Sequence, residues 1–340
     1  MALPYVKLIP MRIFRFFFIG TLIFLIIFAY SQFIGPGGPK EKERFIIKPD
    51  TLQTEVINNL YSQKFLKNKT IFNWILTRRR KSILPGAYLI SKSMNAYQLA
   101  VALTSFPYQK WVTIPSGIRK EQAALIVSQV LDWSPNKAIE FIKIAQEGWL
   151  YPDTYLINTD YDAKQTFQKL FSTFNEKLPP NLQKTLLSQN IRLDTAIKFA
   201  SLIEREYGSE EDRKIIAGII WNRLDKDMRL EIDATVQYAL VSQNCHLPNP
   251  TLDDWPLIAD CDFWPHLSGT DIRTTNSPYS TYLNKDLPPG PICTPSIASI
   301  RAVAEPTDSE DFYYLHSSDK QIHTARTYQE HLKNIKKYLD

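Results

Sequence analysis

Cysteine and histidine are scarce: the 340 residues hold three of the first and five of the second. Neither set falls at the spacing of zinc ligands, and Cys245 beside His246 is no structural zinc signature, so no metal or cofactor is expected. An odd cysteine count leaves one thiol outside any disulfide within the chain. Cys245 and Cys261 flank a Pro/Trp-rich loop. They either pair, which for a loop of this size stabilises by roughly 3 kcal/mol in chain-entropy terms, or remain thiols. A large charge excess is missing too: 40 basic against 35 acidic residues leave a net charge of +5. With no long Lys/Arg stripe interleaved with aromatics, nucleic acid is not an expected partner. The run RRRK, Arg78 to Lys81, reads as a solvated turn, contact with an anionic surface being the other reading. Apolar residues are not scarce. At 44% of the chain they exclude a disordered polymer and supply core for two or three globular units.

The longest apolar run is FFFIGTLIFLIIFAYSQFI, residues 16–34, close to the ~20 residues that cross a bilayer. Lys7, Arg12 and Arg15 precede it, which by the positive-inside rule keeps residues 1–15 in the cytoplasm and the C-terminal bulk outside. A cleavable signal peptide is the rival, since Ala29 and Ser31 make a weak small-x-small site. The run is longer than a usual signal core and favours an uncleaved anchor. Residues 35–44, GPGGPKEKER, read as a polar tether.

Beyond the tether the pattern predicts an α+β chain. FIIK, GAYLI and WVTIP read as strands starting at Phe45, Gly86 and Trp111. Helices are expected after Thr51, from Ala96 to Leu103 with Asn95 as cap, and from Lys120 to Leu131. Ser134, Pro135 and Gly148 punctuate a further helix as cap, first residue and stop. Helical segments follow at 163–177, 193–208, after a Ser209–Asp212 capping box, at DATVQYAL with Asp233 as cap, at 296–304 and at 328–339; FYYLH, from Phe312, reads as a strand.

The segment ASLIEREYG ends one of these helices with Glu204 and Glu206. Helical residues two apart diverge by roughly 200°, so at most one of the pair faces a given cleft. Glu204 continues the line Leu193, Ile197, Ala200, and apolar surroundings favour the neutral carboxyl that a general acid needs. Glu206 follows Phe199 and Leu202 on its own line, so periodicity does not choose between them. Helix-end glutamates are usually solvated or paired, here with Arg205 or Arg213.

Longer motifs surround the pair. ASLIERE, IAGIIWNRLDKDMRLEIDATVQYAL and SPYSTYLNKDLPPGPICTPSIASIRAVAEP, with EGWLYPDTY upstream and HTARTYQEHLKNIKKYL at the end, resemble the YceG-like, MltG-type family of endolytic murein transglycosylases. The resemblance implies a membrane anchor, a LysM-like domain at 45–114 and a mainly helical, lysozyme-like catalytic domain with a few strands at 115–340. It implies Glu204 as the catalytic residue and Glu206 as a supporting group. Asn222, Asp233 and Thr235 match motif positions as further supports, and Ser277, Tyr279, Thr281 and Tyr282 as sugar contacts; the structural alternatives are a helix cap for Asp233 and packing for the tyrosines. Trp221, Trp255 and Trp264 suit sugar stacking, core or loop-anchor roles. Ala234, Tyr207 and Ser116 stand where the family usually has Pro, Thr and Glu, and the 244–269 loop looks distinctive.

The implied reaction is cleavage of the MurNAc–GlcNAc bond of nascent glycan strands with a 1,6-anhydro end, on the periplasmic side of the inner membrane and near penicillin-binding synthases. A noncatalytic peptidoglycan-binding scaffold and a conventional hydrolase are the alternatives.

Overall fold

The computed structural model describes residues 11–339 and divides into two compact units, 11–111 with 158–160, and 112–157 with 161–339. Lys7 and the first ten residues of the expected cytoplasmic segment lie outside the described residues.

The first unit opens with helix α1 (Met11–Phe33), in which Arg15–Phe33 has a mean hydropathy of 2.1 and no buried residue. After it come β1 (Glu43–Ile47), α2 (Gln53–Ser62), α3 (Lys69–Arg79), β2 (Gly86–Ile90), α4 (Ala96–Leu103) and the start of β3 (Gln109–Ile114). β1 and β2 pair antiparallel from Glu43–Ile90 to Ile47–Gly86, and β2 meets β3 at Ala87–Gln109. Alternation of Phe45 and Ile47 puts one face of β1 on a core shared with Leu60, Phe72, Ile75, Leu99 and Leu103. α4 starts at Asn95 through a capping box with Gln98. α2 starts after Leu52, not Thr51. RRRK is not simply a turn: Arg78 and Arg79 close α3, and Arg80 takes the left-handed C-cap position at φ 51°.

In the second unit the rest of β3 runs beside β4 (Asp153–Asn158), with Thr113 Oγ1 3.0 Å from Thr154 Oγ1. Helices α5 (Lys120–Leu131), α6 (Pro135–Ile144), α7 (Ala163–Lys177), α8 (Pro180–Ser188), α9 (Leu193–Glu206), α10 (Asp212–Asp225), α11 (Asp233–Asn244), α12 (Trp255–Ala259), α13 (Gly269–Thr274) and α14 (Ile297–Ala304) follow in order. The chain closes with the antiparallel hairpin of β5 (Tyr313–His316) and β6 (Ile322–Ala325), then α15 (Tyr328–Tyr338). Two apolar clusters hold this unit. One joins α8, α9, α10 and α14; the other joins α5, α6, β4 and the loop after α11.

Three expected ends shift. α6 stops at Ile144, short of Gly148, which instead bends the following loop at φ +80°, where a Cβ would sit 2.6 Å from Pro291. Ser209 does bond Asp212, but ahead of α10, whose N-cap is Glu211. Asp233 is the first residue of α11, not its cap. Cys245 and Cys261 form a disulfide, and Cys293 is a buried thiol.

Candidate active site

Helix α9 carries both glutamates, and it is buried from Ala196 to Glu204 except at Lys198, with Ala196, Ile197, Phe199, Ala200, Leu202 and Ile203 in the core. A helix with no solvent face for most of its length is a central one. Its last turn therefore delivers Glu204 and Glu206 in two different directions.

Glu204 turns inward. Its side chain is 1% exposed, and Oε2 accepts hydrogen bonds from Ser296 N (3.0 Å), Ser296 Oγ (2.7 Å) and Ser299 Oγ (2.5 Å). Ser296 is the N-cap of α14, so the carboxylate sits at the positive end of that helix. Arg213 Nη2 lies 3.9 Å from Oε1, and Arg213 also bonds Ser299 Oγ and Glu210 and stacks on Tyr207 at 3.6 Å. Oε1 itself has no hydrogen-bond partner.

Glu206 turns toward an open cavity of about 500 Å³. Arg205, Asp233, Gln237, Tyr282 and Glu231 wall it from the helical side, and Tyr313, Tyr314, Tyr328 and His331 from the hairpin and α15; Glu204 is not among its walls. Glu206 is half-buried, and its Oε2 accepts a 2.8 Å hydrogen bond from Tyr314 Oη. Burial raises its pKa above the ordinary carboxylate value and the charge of Asp233 adds to that, while the Tyr314 hydrogen bond, His316 and Arg205 pull the other way. Tyr282 Oη donates to Asp233 Oδ1 at 2.6 Å, which fixes both groups on the wall. His331 Nδ1 is buried without a partner, and burial together with Arg223 lowers the pKa of that imidazole. Arg223 braces the cavity floor by donating to the carbonyls of Phe312 (2.6 Å) and Leu230 (2.6 Å).

The remaining expected residues separate. Thr235 and Thr281 are fully buried and bond each other at 2.9 Å, Thr281 Oγ1 also accepting from Ile232 N, so they brace the start of α11 and are absent from the cavity walls. Asn222 donates to the carbonyls of Ser309 and Asp311 and holds the chain leading to β5. Trp221 packs on Phe199 at 4.8 Å and donates to Val303 O, a core role. Trp264 lies under the Arg205 guanidinium at 3.9 Å and donates to Gln122, and Trp255 packs against the second apolar cluster.

Ser277 and Tyr279 line a different cavity of about 460 Å³, with Arg119, Glu147 and Tyr238. Tyr279 packs on Tyr238 with ring centroids 4.7 Å apart, and Tyr238 lies under the buried Arg119 guanidinium at 3.9 Å. Burial and the neighbouring Glu121 push the Glu147 carboxyl up to about 8, and its Oε2 is buried without a partner. Arg119, Glu147, Tyr314 and His331 escaped the sequence reading. Arg119 is visible in sequence only as an ordinary charge, and the other three sit inside segments whose signal is a family motif or a strand pattern, with nothing that singles out one residue.

No group of three or more His, Cys, Asp or Glu side chains able to hold a metal ion occurs among the described residues. The arrangement offers a half-buried carboxyl with a raised pKa on the wall of an open, polar, tyrosine-rich cavity. A carboxyl so placed can serve as a general acid.

Comparison with known proteins agrees with this architecture. An endolytic murein transglycosylase of Bacillus subtilis (strain 168) is 26% identical over 282 residues, 75% of this chain and 72% of that protein. Endolytic murein transglycosylases of two Streptococcus pneumoniae strains are each 28% identical over 197 residues, covering 57% of this chain and 32% of theirs, so the match spans about a third of those relatives. A 2.6 Å crystal structure of a YceG-like protein from Listeria monocytogenes superposes with a TM-score of 0.57 at 25% identity, covering 87% of this chain and 99% of that one. The YceG-like family profile matches residues 45–337, nearly the whole chain beyond the apolar helix, and the chain belongs to the YceG-like family.

Proposed function

We propose that the protein is an endolytic peptidoglycan lytic transglycosylase, with Glu206 as its acid. The observation that carries this is the position of Glu206, half-buried and with a raised pKa, on the wall of the 500 Å³ cavity. This reverses the roles first expected of the pair. Glu204 is engaged by Ser296, Ser299 and Arg213 and acts as a positioning residue for α14 and the end of α9.

One carboxyl group suffices for the reaction. Hydrolysis at a sugar bridge ordinarily takes two carboxylates, one to protonate the leaving oxygen and one to attack or to activate water. Here Glu206 gives its proton to the oxygen between MurNAc and GlcNAc, the C1–O bond breaks, and the substrate's own acetamido group supports the oxocarbenium-like carbon. The Glu206 carboxylate then takes the proton of the muramyl C6 hydroxyl as that oxygen bonds to C1, which closes the 1,6-anhydro ring and restores the acid. No water enters the product. The attacking oxygen belongs to the substrate, so no second molecule has to be bound and oriented.

The wider assignment follows from the same reading. α1 is an uncleaved single-pass anchor, and the second unit works on the periplasmic side. The lysozyme-like character of that unit rests on its central acid-bearing helix. In the first unit, β1, α2, α3 and β2 in that order, with the two strands antiparallel, support a LysM-like module for glycan. Penicillin-binding synthases are the protein partners that this places nearby, to be sought by co-purification in detergent.

The test is digestion of purified sacculi followed by mass analysis of soluble products. The chain should release anhydro-ended fragments, Glu206→Gln none, and Glu204→Gln a reduced but measurable amount. An active Glu206→Gln variant sinks the assignment of the acid. Co-sedimentation without any release favours the noncatalytic scaffold, and reducing ends in place of anhydro ends favour a hydrolase.

A further inference from the structure

Charge is distributed unevenly in the first unit. From Val56 to Trp111 the sequence has nine Lys and Arg residues and no Asp or Glu. Six of the nine, Lys67, Lys69, Arg78, Arg79, Arg80 and Lys81, lie on α3 or directly beside its ends, and among the described residues none of the six has a carboxylate partner. Their partners are aromatic or neutral. Arg78 lies over Trp74 at 5.3 Å, Arg79 over Tyr97 at 5.5 Å and Lys69 over Tyr61 at 4.6 Å. The three rings are exposed, Trp74 by 51% and Tyr97 by 57%.

This face adjoins the end of the apolar helix. Phe33, the last residue of α1, meets Trp74 edge-on at 6.4 Å; Lys67 Nζ donates to Ser31 O at 3.2 Å, and Asn68 donates to Gln32 at 3.1 Å. Between them Phe33, Trp74, Ile75, Arg78, Arg79 and Tyr97 enclose a cleft of about 310 Å³ that is apolar inside and cationic at the rim. Amphipathic rings and cationic side chains at the level where a span leaves the hydrocarbon match the headgroup zone of a bilayer, and anionic headgroups attract such cations.

The geometry points to a lipid-docking surface: α3, with Trp74, Arg78, Arg80 and Lys81, lies on the membrane beside the exit of α1 and binds the phosphate of anionic phospholipids. The occupant is a bilayer because the span delivers this face to one. A soluble polyanion would need the same cations but not the exposed rings beside Phe33. The inference rests on α1 being a span, which the experiment checks separately.

The full chain is reconstituted in phosphatidylcholine vesicles with and without phosphatidylglycerol, and quenching by bromine-labelled lipid is measured. Subtracting the signal of the Trp74→Phe variant isolates Trp74. Its quenching should rise by about twofold or more with phosphatidylglycerol and fall back at high salt. The combined Arg78→Gln, Arg80→Gln, Lys81→Gln variant, whose side chains are exposed, should remain at the phosphatidylcholine level. Equal quenching in both vesicles, or quenching unchanged in the triple variant, overturns the docking surface. Alkaline carbonate washing provides the separate check: a chain stripped from the vesicles overturns the span and the docking with it, whereas a retained chain with unquenched Trp74 overturns the docking alone.

Discussion

Glu204 and Glu206 are separated by one residue and have opposite surroundings. The hydroxyls and the backbone N–H at the start of α14 take up one oxygen of Glu204, whereas Glu206 keeps one hydrogen bond and a view of the cavity. The neighbours of Glu206 make its proton affinity adjustable, with signs that can be worked out. A raised pKa extends the proton-bearing acid to higher pH, so the alkaline limb of activity should lie above the range of an ordinary carboxyl. Tyr314→Phe deletes a hydrogen bond that favours the carboxylate and should move that limb up. Asp233→Asn removes a neighbouring negative charge and should move it down. The pH profile of anhydro-product release checks both directions.

Glu147 sets a second pH effect, this time on stability. Its folded-state pKa of about 8 exceeds the ordinary value of 4.5, so between those values the folded protein binds more protons than the unfolded chain. The stability this contributes is fully present at low pH and is lost as pH rises through about 8. Thermal midpoints should fall across that window in the wild type and fall less in Glu147→Gln.

Elements announce themselves when their signals are local. α4 and α7 begin at capping boxes, Asn95 with Gln98 and Asp162 with Gln165, that lie within four residues of sequence, and both helices fall where their patterns place them. α3 has a single cap, Asn68 accepting from Ile71 N, without the reciprocal partner of a capping box, and TIFNWILT is rich in β-branched and aromatic residues that suit a strand equally well; packing of Phe72, Ile75 and Leu76 into the core decides for helix. The clasp between α9 and α14 is the element-level counterpart of the buried glutamate. Glu204→Ala leaves the Ser296 N–H and the hydroxyls of Ser296 and Ser299 without their acceptor in a buried site and takes a neighbouring negative charge from Arg213, and should cost about 3 kcal/mol in urea unfolding. Ser296→Ala removes both a cap and a partner of Glu204 and should cost about 1–2 kcal/mol. The Cys245–Cys261 bridge ties the end of α11 to the loop after α12; its reduction should lower stability by about 3 kcal/mol, read from unfolding with and without dithiothreitol.

Across the whole chain, one expectation concerns the N-terminus. An uncleaved anchor predicts an intact mass that includes residues 1–34 and retention after carbonate washing, whereas a mature N-terminus near Ser31 would identify a signal peptide. Composition alone suggested no concentrated basic surface, since +5 spread over 340 residues is mild. The cations are already neighbours in the sequence, and folding sets them beside the end of α1: Lys67 and Asn68 reach Ser31 and Gln32 across 36 positions. The apolar span, the α+β order of elements, the family motifs and the helix bearing the glutamate pair were determined by the sequence itself, because periodicity, caps and motifs are short-range properties. Which glutamate meets the cavity was decided only by tertiary structure. A helical side chain's surroundings depend on what packs against it, and here those partners, Ser296 and Ser299 for one and Tyr314 for the other, come from 92 to 108 positions away.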